Sequence, residues 1–460
     1  MSTREDSAPS PTVGSRDDLI AWIAAGSKPA SAWRIGTEHE KFLFHIDTLT
    51  PVPYAGPRGV RALMEGLISQ FGWLPIMEGD NIIALKRPDG EAGGTVSLEP
   101  GGQFELSGDP LRTVHEVGAE THEHLRQCLA AGSPLGIGFL GVGFSPNWTL
   151  AETPRMPKRR YEVMSRYMPK VGSRGLDMMY RTSTIQVNLD FADEADMVKK
   201  FRVSLALQPI ATALFACSPF TEGKPNGFLS ARSNVWLDTD RNRTGMLPFV
   251  FEAGMSFERY VDYALQVPMY FVYRSGNYID VAGASFRDFM AGKLEQLPGE
   301  RPTLDDWSDH LTTLFPEVRM KRFLEMRGAD GGRWRRICAV PAFWTGLLYD
   351  QTALDAAYDL IKGWTAEQRQ DLRDAVPKMA LRAPIGSATA LDVAREALAI
   401  SRSGLRRRAI TNAKGADESI FLEPIEAILK EGCTPAQEML LRFEREWGRR
   451  TDPLFVEYAF

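Results

Sequence analysis

Between Tyr180 and Phe191 the chain shows its cleanest two-residue alternation. Thr182, Thr184, Gln186, Asn188 and Asp190 fall on one face, and Ser183, Ile185, Val187, Leu189 and Phe191 on the other. A strand of this kind packs one side on a core and turns the other toward water or a polar cavity. Arg34 to Phe44 reads as a second strand, and its period places Glu38 and Glu40 on one face with Gly36 beside them. Further strands are predicted near 81–86, 95–99, 103–107, 135–144 and 324–327. Pro100-Gly101-Gly102 reads as the tight connection of a hairpin between two of them.

Helical periodicity fills the intervals. Ser15-Arg16-Asp17-Asp18 opens a helix with a capping-box-like pattern, and Gly26 closes it. Val60, Leu63, Met64, Leu67 and Ile68 mark one face of a helix over 59–71. Asp109-Pro110 predicts the start of a helix running to about Ala131. Helices are also expected over 159–168 and 193–217, the second carrying an apolar run from Leu205 to Cys217. Residues 219–243 read as a polar loop, and the chain from about 341 to 460 as mostly helical. Strands alternating irregularly with helices predict an α+β fold with an antiparallel sheet. Met1 to Ser15, rich in Ser, Pro and Thr, is expected to be a flexible tail, with residues 16–460 forming a single domain.

Gly136-Ile137-Gly138-Phe139-Leu140-Gly141 matches a dinucleotide fingerprint formally. That fingerprint needs a helix after it, and Ser145-Pro146-Asn147 follows instead, so a glycine-lightened strand is expected. GxxxxGK[ST] does not occur, so an ATP site here is not a P-loop.

Composition narrows the partners. In 460 residues, 54 Lys and Arg against 59 Asp and Glu leave a net charge of −5, no electrostatic basis for nucleic acid or an anionic membrane. The run Leu205–Cys217 is too short to span a bilayer. Cys128, Cys217, Cys338 and Cys433 are far apart and form no CxxC, which excludes a zinc ribbon and fits a reducing compartment. The N-terminus has no apolar signal core and is too short and acidic for a clear transit peptide, so a cytoplasmic location is expected.

Several acids gather chemical meaning together. Two carboxylates on one strand face repel unless a cation or proton sits between them, and hard divalent ions such as Mg²⁺ favour such oxygens. Glu99 and Glu105 flank the hairpin turn, which can bring them beside Glu38 and Glu40. Gln186 and Glu325 add an amide oxygen and a carboxylate from other strands. Arg232, Asn234, Trp236 and Arg243 lie in one polar cluster whose arginines suit a carboxylate or phosphate. Arg327, Arg333 and Arg335 lie around glycines that let a phosphate approach. His115, His122 and His124 are expected to lie on a solvated helix face, not at zinc.

At these residues the chain resembles glutamate–cysteine ligases of the plant and proteobacterial branch. The stretches that carry the resemblance are Gly36-Thr-Glu-His-Glu-Lys-Phe42, Ser97 to Gly108, Met179 to Asp190, Arg232-Ser-Asn-Val-Trp236, Asp238 to Pro248 and Leu324 to Gly332, in order along residues 16 to 460. The resemblance implies a fold like the catalytic half of glutamine synthetase, a curved antiparallel sheet forming a funnel with helices outside. It implies a catalytic domain that joins the γ-carboxylate of L-glutamate to the amine of L-cysteine at the expense of ATP, through a γ-glutamyl phosphate, as in the first step of glutathione biosynthesis. It further implies two or three Mg²⁺ ions on Glu38, Glu40, Glu99, Glu105, Gln186 and Glu325. Arg327 and Arg243 are then the candidate catalytic cations, Arg232, Arg243, Asn234 and Trp236 the substrate contacts, and Arg327, Arg333 and Arg335 the ATP contacts. A disulfide tunes the plant members, and Cys338 matches a family cysteine but has no partner assignable from the sequence, so redox control is a hypothesis only. So is a homodimer, from related proteins. A related ligase that joins glutamate to a different amine is the alternative.

Overall fold

The computed structural model describes residues 10–88, 90, 91 and 93–460. Its centre is a nine-stranded sheet. In chain order the strands are β1 (Ile35–His45), β2 (Leu74–Glu78), β3 (Asn81–Lys86), β4 (Thr95–Leu98), β5 (Phe104–Ser107), β6 (Ile137–Leu140), β7 (Thr184–Leu189), β8 (Val318–Met320) and β9 (Leu324–Asp330). They pair in the order β8-β9-β7-β1-β5-β4-β3-β2, with β6 on the far half of β1. Every pairing is antiparallel. The α+β architecture and the antiparallel sheet with helices outside it are therefore as the sequence predicts.

β1 is the axis because it has three partners. Ile35–His39 pair with β7, Glu38–Lys41 with β5 and Phe42–His45 with β6. Its apolar end is buried on both sides. Leu43 packs with Val60, Leu63 and Met64 of the helix Val60–Phe71, while Phe42 and Phe44 meet Trp148 and Phe455. A Cβ on Gly138 would lie 2.4 Å from the Phe44 ring, which explains a glycine in β6. No helix follows β6, so the glycine-rich run is a strand.

Behind the sheet, the apolar face of β7 (Ile185, Val187, Leu189) meets the helix Glu194–Leu214 in the largest core cluster. That helix starts at Asp193, whose side chain caps the Asp196 amide. Helices Trp334–Leu348, Gln351–Ile361, Ala366–Met379 and Ala390–Arg408 complete this layer. No helix among the described residues is long and apolar enough to cross a membrane.

Several local expectations need correction. The strand begins at Thr184, because Gly175–Arg181 is helical and takes in Tyr180 and Arg181. The helix expected from Asp109-Pro110 starts at Val114, where Thr113 and Glu116 form a reciprocal capping box. Asp109 instead accepts from the Gly93 amide. The polar loop after Pro219 contains a short helix, Ala231–Val235, capped by Ser230. The expected tail is fixed in its last part: Val13 is buried, its amide donates to the Pro302 carbonyl, and Ser15 caps the helix Arg16–Ala24. Residues 1–9 of that tail lie outside the described residues. His124 is buried, not solvated, and His122 alone of the three histidines is exposed.

Candidate active site

The strand registers set the site. Across the sheet, Arg319 faces Glu325, Glu325 faces Asn188, and Asn188 faces Gly36. In the next row Gln186 faces Glu38, which faces Ser107, and in a third Glu40 faces Glu105, which faces Ser97. Side chains in neighbouring rows of one face are within reach of each other. Gly36 is small for a reason: a Cβ there would lie 3.2 Å from the Asn188 Cβ. Asn188 uses that space to donate to Glu38 at 2.9 Å.

Glu99 reaches the same face from the hairpin between β4 and β5. The turn closes by Gly102 N–H to the Glu99 carbonyl (2.9 Å) and Glu99 N–H to the Gln103 carbonyl (3.0 Å). Gly102 sits at φ +82°, and a Cβ on Gly101 would lie 2.2 Å from the Tyr180 carbonyl oxygen. Side-chain-free backbone is thus required at both positions. Gln103 ties the hairpin to the helix Gly175–Arg181 and its exit, donating to the Met179 and Thr182 carbonyls.

One pocket on this polar face is lined by Glu38, Glu40, Glu99, Gln186, Arg232 and Arg327, with Trp236 on its wall. Carboxylate oxygens of Glu40, Glu99 and Glu105 all lie within 4.8 Å of one another. All three residues are buried. Burial and the Glu99 and Glu105 carboxylates push Glu40 well above the ordinary carboxylate range. Burial and Glu105 lift Glu99 to about 8. Glu105 moves the other way: burial works against it, but the Ser107 hydroxyl at 2.6 Å helps keep it on the ionised side. Three crowded carboxyls that resist simultaneous ionisation form the donor set a hard divalent cation fits.

Cations surround the acids. Arg327 donates to Gln186 Oε1, and Arg232 donates through Nη2 to the Arg327 carbonyl at 2.8 Å. Four groups not singled out in the sequence join them. Arg160, Tyr161 and Arg319 line the pocket, and Lys158 lies just behind it. Lys158 Nζ and the Tyr161 hydroxyl both donate to the Leu98 carbonyl at 2.9 Å, and Tyr161 also reaches Glu99 at 3.2 Å. Burial lowers Lys158 to about 8, against the pull of Glu99. The run Lys158-Arg159-Arg160-Tyr161 at a helix start was the available signal. Met164, Met178, Met179 and Phe315 supply the apolar wall.

Five residues expected here are placed elsewhere. Glu325 is fully buried and does not line the pocket. Arg319 holds both its oxygens at 2.6 and 2.8 Å, and Arg327 adds a contact at 2.5 Å. A metal ion at Glu325 would have to displace a bidentate guanidinium. Arg243 is fully buried outside the pocket. It donates to Asp240 (2.6 Å) and to the Thr313 (3.1 Å) and Pro268 (2.7 Å) carbonyls, and it stacks 3.8 Å over Tyr270. Arg333 and Arg335 are exposed, the first near the Tyr458 ring and the second paired with Glu423. Asn234 is half-buried beside the pocket but does not line it. The cysteines are all free, and burial pushes the Cys338 thiol up to about 12.

Comparison with known proteins gives a consistent picture. The model of glutamate-cysteine ligase family 2 (GCS2) matches residues 34–453. A rice protein named glutamate–cysteine ligase B, chloroplastic, is 56% identical over 445 residues, covering 97% of this chain and 87% of its own. The tobacco glutamate–cysteine ligase, named chloroplastic, is 56% identical over 97% of this chain and 83% of its own. The Arabidopsis thaliana counterpart, also named chloroplastic, is 55% identical over the same 97% and 83%. These names overturn the expected cytoplasmic location, since each relative is placed in the chloroplast. Among solved structures, the Francisella tularensis glutamate–cysteine ligase in complex with AMP is similar in fold. Its TM-score is 0.55 at 13% identity, over 93% of this chain and 87% of that one.

Proposed function

The chain belongs to glutamate-cysteine ligase family 2 and is a ligase of that family, and we propose that its pocket joins the γ-carboxylate of L-glutamate to the amine of L-cysteine by way of a γ-glutamyl phosphate. The observation that carries this reading is the buried set Glu40, Glu99 and Glu105, two of which, Glu40 and Glu99, line one pocket together with Arg160, Arg232 and Arg327. Acids for metal and guanidiniums for phosphate are the equipment of a phosphoryl transfer, which asks for positioning and charge neutralisation more than for a protein nucleophile.

Glu40, Glu99 and Glu105, with Glu38 beside them, would hold Mg²⁺, which supplies positive charge at the phosphoryl oxygens of ATP. Gln186 orients Arg327 instead of facing a metal, and Glu325 fixes both Arg319 and Arg327. In the first half-reaction a γ-carboxylate oxygen attacks the terminal phosphorus of ATP and ADP leaves. In the second, the cysteine amine attacks the acyl carbon and inorganic phosphate leaves. Arg232 and Arg327 offset the negative charge of the transferred group in both halves, and Arg160 and Tyr161 close the side nearest Glu99. The methionine wall beside them gives the acceptor a polarisable, adaptable surface suited to a thiol.

Hydroxylamine tests the intermediate. Incubated with ATP, Mg²⁺ and L-glutamate but no cysteine, the enzyme is expected to yield γ-glutamyl hydroxamate and ADP in equal amounts. ADP release that never yields the hydroxamate, with γ-glutamylcysteine still formed when cysteine is present, would contradict a free-standing acyl phosphate.

A further inference from the structure

The turn that carries Glu99 and the segment that carries the methionine wall are fastened together by one side chain. Gln103, at the end of the turn, is 1% exposed and lines the pocket. Its Oε1 accepts from the Gly101 N–H at 2.9 Å, and its Nε2 donates to the Met179 and Thr182 carbonyls at 3.2 and 2.7 Å. Carbonyls accept and an N–H donates, so these neighbours fix which end of the amide is which. Both amide protons are thereby spent, and Gln103 keeps no donor for a substrate. The backbone closes the turn on the same residue, with the Glu99 N–H on the Gln103 carbonyl at 3.0 Å.

Met178, Met179, Thr182 and Thr184 all line the pocket from one short stretch of chain. The Thr182 hydroxyl donates to the Met178 carbonyl at 2.7 Å, and the Thr184 N–H donates to the Glu40 carboxylate at 3.2 Å. The stretch is thus tied to two of the pocket's acids, to Glu40 directly and to Glu99 through Gln103. Gly101 presses on it as well, at the Tyr180 carbonyl, where there is no room for a Cβ. Contacts this close and this buried do not slide past one another, so a shift of the turn moves the wall.

We propose that Gln103 is a positioning residue that couples the ion-binding acids to the acceptor wall, so that Mg²⁺ and L-cysteine strengthen each other's binding. This rests on the ligase reading above, in which Mg²⁺ belongs at Glu40, Glu99 and Glu105 and the methionine wall receives the acceptor. Crowded carboxyls repel without a cation and gather around one, which draws Glu99 and its turn toward Glu40 and Glu105. The turn carries Gln103, and Gln103 carries the Met179 and Thr182 backbone with it. The acceptor is then favoured once the ion is loaded, and by linkage it raises the affinity for the ion by the same factor.

The test measures the apparent KM for L-cysteine below and above half-saturation by free Mg²⁺, with MgATP and L-glutamate saturating, in wild type, Gln103→Met and Gly101→Ala. In wild type this KM should fall on the order of 5-fold or more as free Mg²⁺ rises. Gln103→Met keeps the length and loses all three amide bonds, so its KM should not respond to Mg²⁺. A side chain that merely supported the fold would shift KM alike at every Mg²⁺ level and leave the response intact. A wild-type KM indifferent to Mg²⁺, or a full response retained in Gln103→Met, overturns the inference. Should Gln103→Met fail to fold, Gly101→Ala decides: it pries the same junction open from its other side, so a full response there overturns the inference too. Wild-type protein that shows no cysteine-dependent ADP release instead defeats the ligase reading.

Discussion

Glu99 carries a proton at neutral pH that a metal ion has to displace, because burial and Glu105 lift it to about 8. The folded carboxyl keeps that proton where an unfolded one has lost it. The metal-free protein therefore loses this contribution to stability as pH rises from the ordinary carboxyl range toward about 8. The same linkage makes Mg²⁺ affinity rise with pH, by up to roughly tenfold per unit for each proton displaced. Calorimetry in buffers of different ionisation enthalpy should show roughly one to two protons released per ion bound below neutrality, drawn from Glu99 and Glu40; affinity independent of pH would remove this picture. Arg243 gives the opposite kind of prediction. Its donors are spent on Asp240 and carbonyls inside the fold, so Arg243→Met should cost ~3–5 kcal/mol in denaturant unfolding. A folded Arg243→Met protein with normal stability and a raised KM for glutamate would restore its role as a substrate contact. Residue type and strand geometry were enough to gather Glu38, Glu40, Glu99 and Gln186 on one polar face, and the family resemblance added Arg232, Trp236 and Arg327, which line the same pocket. They misplaced Arg243, Arg333 and Arg335, because positive charge in a loop does not say which way a side chain points.

The hairpin between β4 and β5 is the element on which the metal face depends. Its two glycines were legible as a turn, but the reason for Gly101 was not. Only the fold brings the Tyr180 carbonyl to 2.2 Å from where a Cβ would sit. Gly101→Ala must push the turn and Glu99 away from the helix Gly175–Arg181. A displacement near 1 Å at a metal ligand can lower activity on the order of 100-fold. The expected signature is weakened Mg²⁺ binding and slow turnover in a protein whose far-ultraviolet circular dichroism is unchanged; wild-type Mg²⁺ affinity in that variant would show that the turn does not position Glu99. Other boundaries failed for local reasons. The alternation that reads as strand through Tyr180 loses to a helix whose Tyr180 and Met179 are buried against Phe144 and Met164. The reciprocal cap of Thr113 and Glu116 wins over Asp109-Pro110 because it satisfies two backbone donors at once. Lys158, Arg160 and Tyr161 escaped notice because the start of a helix carries no alternation to mark a face.

At the scale of the whole molecule, a single antiparallel sheet divides the labour. Its apolar side rests on the buried helix Glu194–Leu214, and its polar side carries the acids and arginines. The general plan was readable because both periods are long and clean in β7 and in that helix. The closing contacts of Arg319 and Tyr161 were not, since each comes from far along the chain. The cysteines bear on regulation at this scale. Cys128, Cys217 and Cys338 are buried, with thiols pushed up to about 12, and only Cys433 is half-buried. Buried, protonated thiols react slowly. Activity and gel mobility should therefore match with and without reductant; a mobility shift paired with a change in rate would reinstate redox control. The buried acids are proposed to serve a cysteine-dependent phosphoryl transfer from ATP. That role is tested most directly by ADP release from purified protein with Mg²⁺, ATP and L-glutamate, with and without L-cysteine, beside Glu40→Ala. The expected result is cysteine-dependent ADP release with γ-glutamylcysteine as product, abolished in the variant; ADP release that ignores cysteine and answers to another amine, or that survives Glu40→Ala unchanged, would refute this role for the acids.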